Sequence, residues 1–394
     1  MKWNYGHTLK SCYLGYITQA IINNLAPLLF VTFQKEFSVS VEQLAMLVSL
    51  NFLVQILVDS LAARYVDRIG YRPCIVAAHI CSVIGLVGLG FFPKWFASPM
   101  AGLLLAMCIN AIGGGVIEVL ISPMVEALPG EEKASAMSLL HSFYCWGHVG
   151  VVVLSTVFFV VVGIEHWQYL PVIWAVIPLF NVFLLTRVPI NTLVEEGGGL
   201  SFRQLFSSKL FWLLFLLMIC SGASEQAMSQ WSSLFAETGL QVSKTMGDLL
   251  GPCSFALLMG TSRLIYGIKG NKIPLKTFLG ASAVLCAGSY LLAVFSPWPL
   301  LSLVGCGLCG FSVGIMWPGV FSLASVHMPT GGTAMFGLLA LAGDVGCSSG
   351  PGLVGVVSGF FGDSLKPGLL TAIIFPVVLV LLLPALGRDR KATE

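Results

Sequence analysis

MAGLLLAMCINAIGGGVIEVLISPMV, Met100 to Val125, carries no formal charge except Glu118. A helix rises 1.5 Å per residue, so roughly 20 apolar residues cross the hydrocarbon of a bilayer. The run is long enough to span, and the glutamate falls well inside it. A charge near the bilayer centre costs at least ~2.5–3.5 kcal/mol. A residue kept at that cost faces a cavity or serves function. The stretch therefore decides two things at once: the solvent is lipid, and something polar passes through.

The rest of the chain agrees. Of 394 residues, 57% are hydrophobic and 10% charged, against about 25% charged in soluble domains. Apolar runs predict about 12 helices, over 9–33, 42–66, 73–92, 98–127, 133–162, 167–187, 210–237, 245–267, 274–295, 298–328, 331–361 and 367–387. The alternating pattern of a membrane barrel is absent. The fold class is all-α, a multi-pass membrane protein. Its leading segment MKWNYGHTLK reads as the start of an uncleaved first helix. A net charge of +2 gives no footing for nucleic acid. The 11 cysteines are scattered, and Cys306 and Cys309 read as small packing residues, so no metal and no cofactor is expected.

Lys and Arg sort by side. Only Lys35, Lys94, Lys244 and Lys366 of the 20 fall at the ends that would lie outside if the N-terminus lies inside. Both termini are therefore expected in the cytoplasm, and the short loops suit a bacterial inner membrane. The longest polar connection, 188–209, reads as a cytoplasmic linker between a six-helix bundle at 1–187 and another at 210–394. The halves echo one another. Gly114 precedes Pro129 as Gly314 precedes Pro329, Ala136–Met137 matches Ala334–Met335, and Gly147–Gly150 matches Gly343–Gly346. Their shared order supports an internal duplication.

Several polar groups sit within the spans. Asn110, Gly114, Glu118 and Ser122 are spaced by four and share a face of one helix. A carboxyl there can take a proton from one side and lose it to the other, and Glu118 is the expected proton carrier. Glu225 is a second candidate, on a stripe with Ser221, Ser229 and Ser232 and beside Gln226. Asp344 is a further candidate, flanked by Gly343 and Gly346. Ser138, His141, Cys145 and His148 line one face of the fifth helix, expected to form a cavity wall rather than a metal site. Tyr16, Gln19 and Asn23 do the same on the first helix, beside Asn24. Amides both donate and accept, as polyols require. Trp146, Trp231 and Trp317 could offer flat surface to a sugar ring. No Lys or Arg lies near the middle of a predicted span, which disfavours anionic solutes.

The loop after the second helix reads Ala63-Arg64-Tyr65-Val66-Asp67-Arg68-Ile69-Gly70-Tyr71-Arg72. It resembles the signature loop of the major facilitator superfamily, Gly-x-x-x-Asp-Arg-x-Gly-Arg-Arg/Lys, with Ala63 and Tyr71 departing from it. Asp59, Arg64, Asp67, Arg68, Arg72 and Arg263 would then belong to gating loops. Asn23-Asn24-Leu25, GGGVIEVLISP and MSLLHSFYCWG are similar to stretches of the fucose:proton symporter family and its hexose-carrying relatives. The resemblance implies two six-helix bundles working by alternating access, and a helix-four glutamate, here Glu118, that carries the coupling proton. Pro27 stands near the place of that family's helix-one aspartate.

The reading is a secondary active transporter taking up a neutral sugar or similar polar solute with protons. It works as a monomer in the bilayer and is not an enzyme, since there is no P-loop or hydrolase pair. Its rival is proton-driven export of drugs or hydrophobic cations, which acidic groups and abundant Phe and Met would also suit.

Overall fold

The computed structural model describes residues 3–129, 133–191, 200–269, 274–328 and 330–386. Some helical side chains also lie outside the described set, among them those of Arg64, Asp67 and His141.

All regular structure among the described residues is helical. Among the described residues, apolar runs become twelve helical spans: α1 Tyr5–Phe37, α2 Val41–Ile69, α3 Tyr71–Trp95, α4 Pro99–Glu126, α5 Lys133–Val161, α6 Tyr169–Leu185, α7 Lys209–Gly239, α8 Lys244–Tyr266, α9 Leu275–Phe295, α10 Pro299–His327, α11 Gly332–Phe360 and α12 Leu365–Leu386. Eleven are long and apolar enough to cross a membrane, and α6 is a shorter apolar helix. A helix can stand in lipid because it satisfies its own backbone groups. The chain divides into two compact units, Met1–Glu195 and Glu196–Glu394.

Local chemistry sets where the helices begin and end. Asn4 and Ser40 open α1 and α2 with capping boxes completed by His7 and Gln43. Ser98 caps α4 ahead of Pro99, whose missing N–H is no loss in the first turn. Gly70 ends α2 at φ 100°, a conformation other residues avoid, and α3 starts one residue later. Its position after Asp67-Arg68-Ile69 gives the loop motif its glycine.

The first unit is tied at both ends. At the end of α1, Glu36 accepts from Trp167 Nε1 (2.5 Å) and pairs with Lys94 of α3 (3.0 Å), which also donates to Gln168 (2.8 Å). At the opposite end Arg72 donates to the carbonyls of Leu185 (2.7 Å) and Val188 (2.8 Å), capping α6. Arg72, expected in a gating loop, is thus occupied with the last carbonyl of a helix in its own unit and with one just beyond it. Arg72→Ala should cost about 2 kcal/mol, since both bonds come from a charged donor. Arg72→Lys should recover only part, because an ammonium lacks the planar fork. Thermal unfolding of the purified variants checks both.

Deep between α1, α3 and α6 lies a polar tie. Asn181 Nδ2 donates to His79 Nε2 (2.9 Å) and to the Ser11 carbonyl (3.0 Å), and Ser11 Oγ donates back to Asn181 Oδ1 (2.6 Å). His79 Nδ1 faces the Ile75 carbonyl at 2.8 Å. With Nδ1 facing an acceptor and Nε2 facing a donor, the ring is neutral and of one tautomer.

In the second unit α7 and α11 run backbone against backbone. Trp231 Nε1 donates to the Pro351 carbonyl (3.1 Å) across them, and Tyr290 of α9 donates to the Ser224 carbonyl (2.9 Å). Buried Asp248 accepts from Ser233 (2.5 Å) and pairs with Lys244 (3.0 Å), which also reaches Glu237 (3.1 Å).

Candidate functional site

The carboxylate of α4 is met from α1. Gln19 Nε2 donates to Glu118 Oε2 (3.0 Å) and to Gln55 Oε1 of α2 (2.9 Å). Two acceptors flank that nitrogen, so the amide has one sensible orientation. Gln55 Nε2 donates to Asn23 Oδ1 (3.1 Å), which also accepts from Asn51 Nδ2 (3.2 Å). Four buried carboxamides and one carboxylate therefore form a continuous network across α1, α2 and α4. Its balance is tilted toward acceptors. Gln19 Oε1 and Asn51 Oδ1 meet no hydrogen-bond partner, and a buried acceptor without one costs about 1–3 kcal/mol. Hydroxyl or amide donors on a solute would relieve that cost.

The three glycines of the opening stretch let the helices come this close. A Cβ at Gly113 would lie 2.6 Å from the Ala78 carbonyl of α3, one at Gly114 3.0 Å from Gln19 Oε1, and one at Gly115 3.0 Å from Asp59 Oδ1 of α2. One turn further, Tyr16 and Ser122 hydroxyls meet at 3.1 Å, and Asn24 Nδ2 donates to Tyr144 of α5 (3.3 Å).

Other sequence candidates fall elsewhere. Asn110 packs on α3, where a Cβ at Gly85 would touch its side chain at 2.5 Å. Spacing by four drifts about 40° per step, enough to turn it off the face of Glu118. Trp146 is 53% exposed. Cys145 and His148 are buried. His141, Arg64 and Asp67 lie outside the described side chains, and Arg68 is exposed. Trp231 is a packing residue, and Trp317 packs on the α11 backbone at Gly343. Asp344 is buried.

The second unit holds its own charged cluster. Glu225 is 7% exposed. Gln226 Nε2 donates to its Oε1 (3.3 Å), and Gln230 Nε2 donates to Gln226 Oε1 (2.9 Å). Arg263 Nη2 lies 3.7 Å from Glu225 Oε2. Sequence placed Arg263 in a gating loop and left the spans without a central cation. The structure brings it to Glu225 instead, because a long side chain starting near the end of α8 reaches inward.

Arg263 Nε donates to the Gly314 carbonyl (3.1 Å). In an unbroken helix that carbonyl would accept from residue 318, but Pro318 has no N–H. The helix accordingly breaks between Val313 and Met316.

Asn51 and Gln55 were missed from the sequence, as was Arg263's pairing. Asn51, Gln55 and Asp59 recur every four residues in an otherwise apolar helix, and that stripe was the available signal. The groups His79, Asn181 and Ser11 carried no spacing that could link them.

A family model described as Major Facilitator Superfamily matches residues 12–351. A curated relative, the putative niacin/nicotinamide transporter NiaP of Bacillus subtilis (strain 168), is 23% identical over 97% of this chain and 95% of its own. Among solved structures, a D-xylose–proton symporter superposes with a TM-score of 0.78 at 13% identity, covering 98% of each chain. The E. coli fucose:proton symporter superposes with a TM-score of 0.65 at 15% identity, covering 97% of this chain and 98% of that one. At those identities the likeness is one of fold.

Proposed function

The chain belongs to the Major Facilitator Superfamily and is a membrane transporter, and from that premise we propose that it takes up a sugar-like polar solute together with protons by alternating access. The observation that carries the reading is the contact between Gln19 and Glu118 (3.0 Å) inside a network of amides. A proton on Glu118 turns an acceptor into a donor. The protonated carboxyl keeps a carbonyl oxygen that can accept from Gln19 and gains a hydroxyl that can donate, and that new donor changes the balance of a network reaching through Gln55 to Asn23 and Asn51. Proton occupancy and the pattern offered to a solute are thereby linked, and such linkage is reciprocal. The acceptor surplus supports hydroxyl-rich solutes. NiaP's name and the sugar symporters support small polar cargo. Glu118 is the coupling group of this proposal, with Gln19, Asn23 and Gln55 touching the solute. Termini on the cytoplasmic side of a bacterial inner membrane and a monomeric working state belong to the same reading.

The test is a proton flux. Full-length protein in liposomes holding a pH-sensitive dye is offered neutral hexoses, nicotinamide and lipophilic cations from outside. Acidification of the lumen on adding a neutral polar solute is the expected result. Alkalinisation on adding cations alone would replace uptake by export. Gln55→Ala should weaken apparent solute affinity about tenfold, since a lost buried bond with its stranded partner is worth about 1–3 kcal/mol.

A further inference from the structure

We propose that Arg263 and Glu225 form an exchangeable carboxylate seat: a small monocarboxylate solute takes Glu225's place on the guanidinium when Glu225 takes a proton from water. The inference rests on the carrier reading above and adds the charge of the solute to it.

The pair is loose. At 3.7 Å the nitrogen and oxygen are beyond hydrogen-bond distance, and the other carboxylate oxygen is engaged by Gln226. Separation therefore breaks no bidentate fork. Arg263 is also held independently of Glu225. Its Nε is fixed to the Gly314 carbonyl that Pro318 leaves open, so the guanidinium keeps its place when the carboxylate lets go. Exposure is unequal as well: the Arg263 side chain is 25% exposed and that of Glu225 10%, so the cation is the less enclosed member of the pair.

Charge explains why a swap is needed. A partly buried guanidinium without an anion is costly. Once Glu225 is neutral, the solute carboxylate restores the balance. The step binds one proton to a Glu225 oxygen, breaks the Arg263–Glu225 ion pair and forms an Arg263–solute ion pair. At this pair one proton and one carboxylate are taken up together, with no net change of charge at the seat. Other titratable groups lie on α7 or on the helices packed against it. Cys309 of α10 lies within electrostatic range of Glu225, Tyr290 of α9 bonds at Ser224, and Asp344 is carried by α11, which packs on α7. Asp248 is already paired with Lys244.

Purified full-length protein titrated calorimetrically with gluconate and benzoate, against their uncharged counterparts glucose and benzamide, tests the seat. The acids should bind more tightly than the neutral compounds. Glu225→Gln should tighten acid binding by about tenfold or more, because the competing carboxylate is gone. A merely structural pair would show weakening or no change. Arg263→Gln alone strands a buried glutamate, so the second variant is Glu225→Gln with Arg263→Gln, checked for a single gel-filtration peak. It should lose the preference for acids. Acids binding no better than neutral compounds in both the natural protein and Glu225→Gln would overturn the seat, as would retained acid binding in the double variant. Neutral solutes moving with protons while acids fail to bind would remove the seat and leave the uptake proposal standing. Acid binding with no accompanying proton uptake would overturn the seat as well, since the exchange loads Glu225 with a proton.

Discussion

Glu118→Gln will abolish uphill uptake and leave downhill exchange running. Each pH unit across the bilayer is worth about 1.4 kcal/mol per proton, about tenfold in solute concentration. With one unit imposed, the natural protein should accumulate solute about tenfold per coupled proton, and the variant should stop at a ratio of about one. Glutamine is the same size, and its Oε1 can still accept from Gln19 at the site now spanning 3.0 Å. Solute binding and counterflow should therefore survive. Radiolabelled solute in liposomes reads both quantities. Accumulation by the variant to the natural ratio would remove Glu118 from the coupling role.

Gly346→Val will unfold the second unit more readily than any other substitution discussed. A Cβ there collides with the Ile219 carbonyl oxygen and lies 2.8 Å from the Ala223 nitrogen. Both are helix backbone atoms and neither can turn aside. Overpacking costs about 1–3 kcal/mol where side chains can adjust. Here α7 and α11 must move apart, and membrane helices depend on such small-residue contacts. A loss of about 3 kcal/mol or more should lower the melting temperature by roughly 6 °C. Gly337→Val, on the same helix with open space around its Cβ position, is the control and should be near neutral. Equal losses at the two positions would sink the explanation.

The helices were legible because lipid imposes a minimum length on every crossing. All twelve expected spans correspond to helices. Glu118 was legible for the same reason: one charge in a mostly apolar run of 26 residues needs a purpose. Two members of its network were not. Asn51 and Gln55 share a face with Glu118's neighbours only after α2 is placed against α1, and spacing within one helix says nothing of that placement. Trp146 shows the converse. It sits one residue from buried Cys145, and one residue turns a helix by about 100°, which leaves the ring half exposed. Arg263 was misplaced because hydropathy reads the position of a Cα. Its charge sits several bonds away, and only the carbonyl released by Pro318, 55 residues later, explains where the guanidinium rests.

Gly113, Gly114 and Gly115 each answer to a different neighbour: α3, the amide of Gln19, and α2. That makes α4 a keyed shaft. A point change in the run disturbs one flank, but an inserted or deleted residue on its N-terminal side rotates all three keys by about 100° together. It would present Glu118 to lipid and turn side chains into the backbones of two helices. No single compensating substitution restores three alignments at once. Variation in this carrier's lineage should therefore reach α4 through exchanges of residues and through its end loops, with the count of residues between Ser98 and Glu118 held constant.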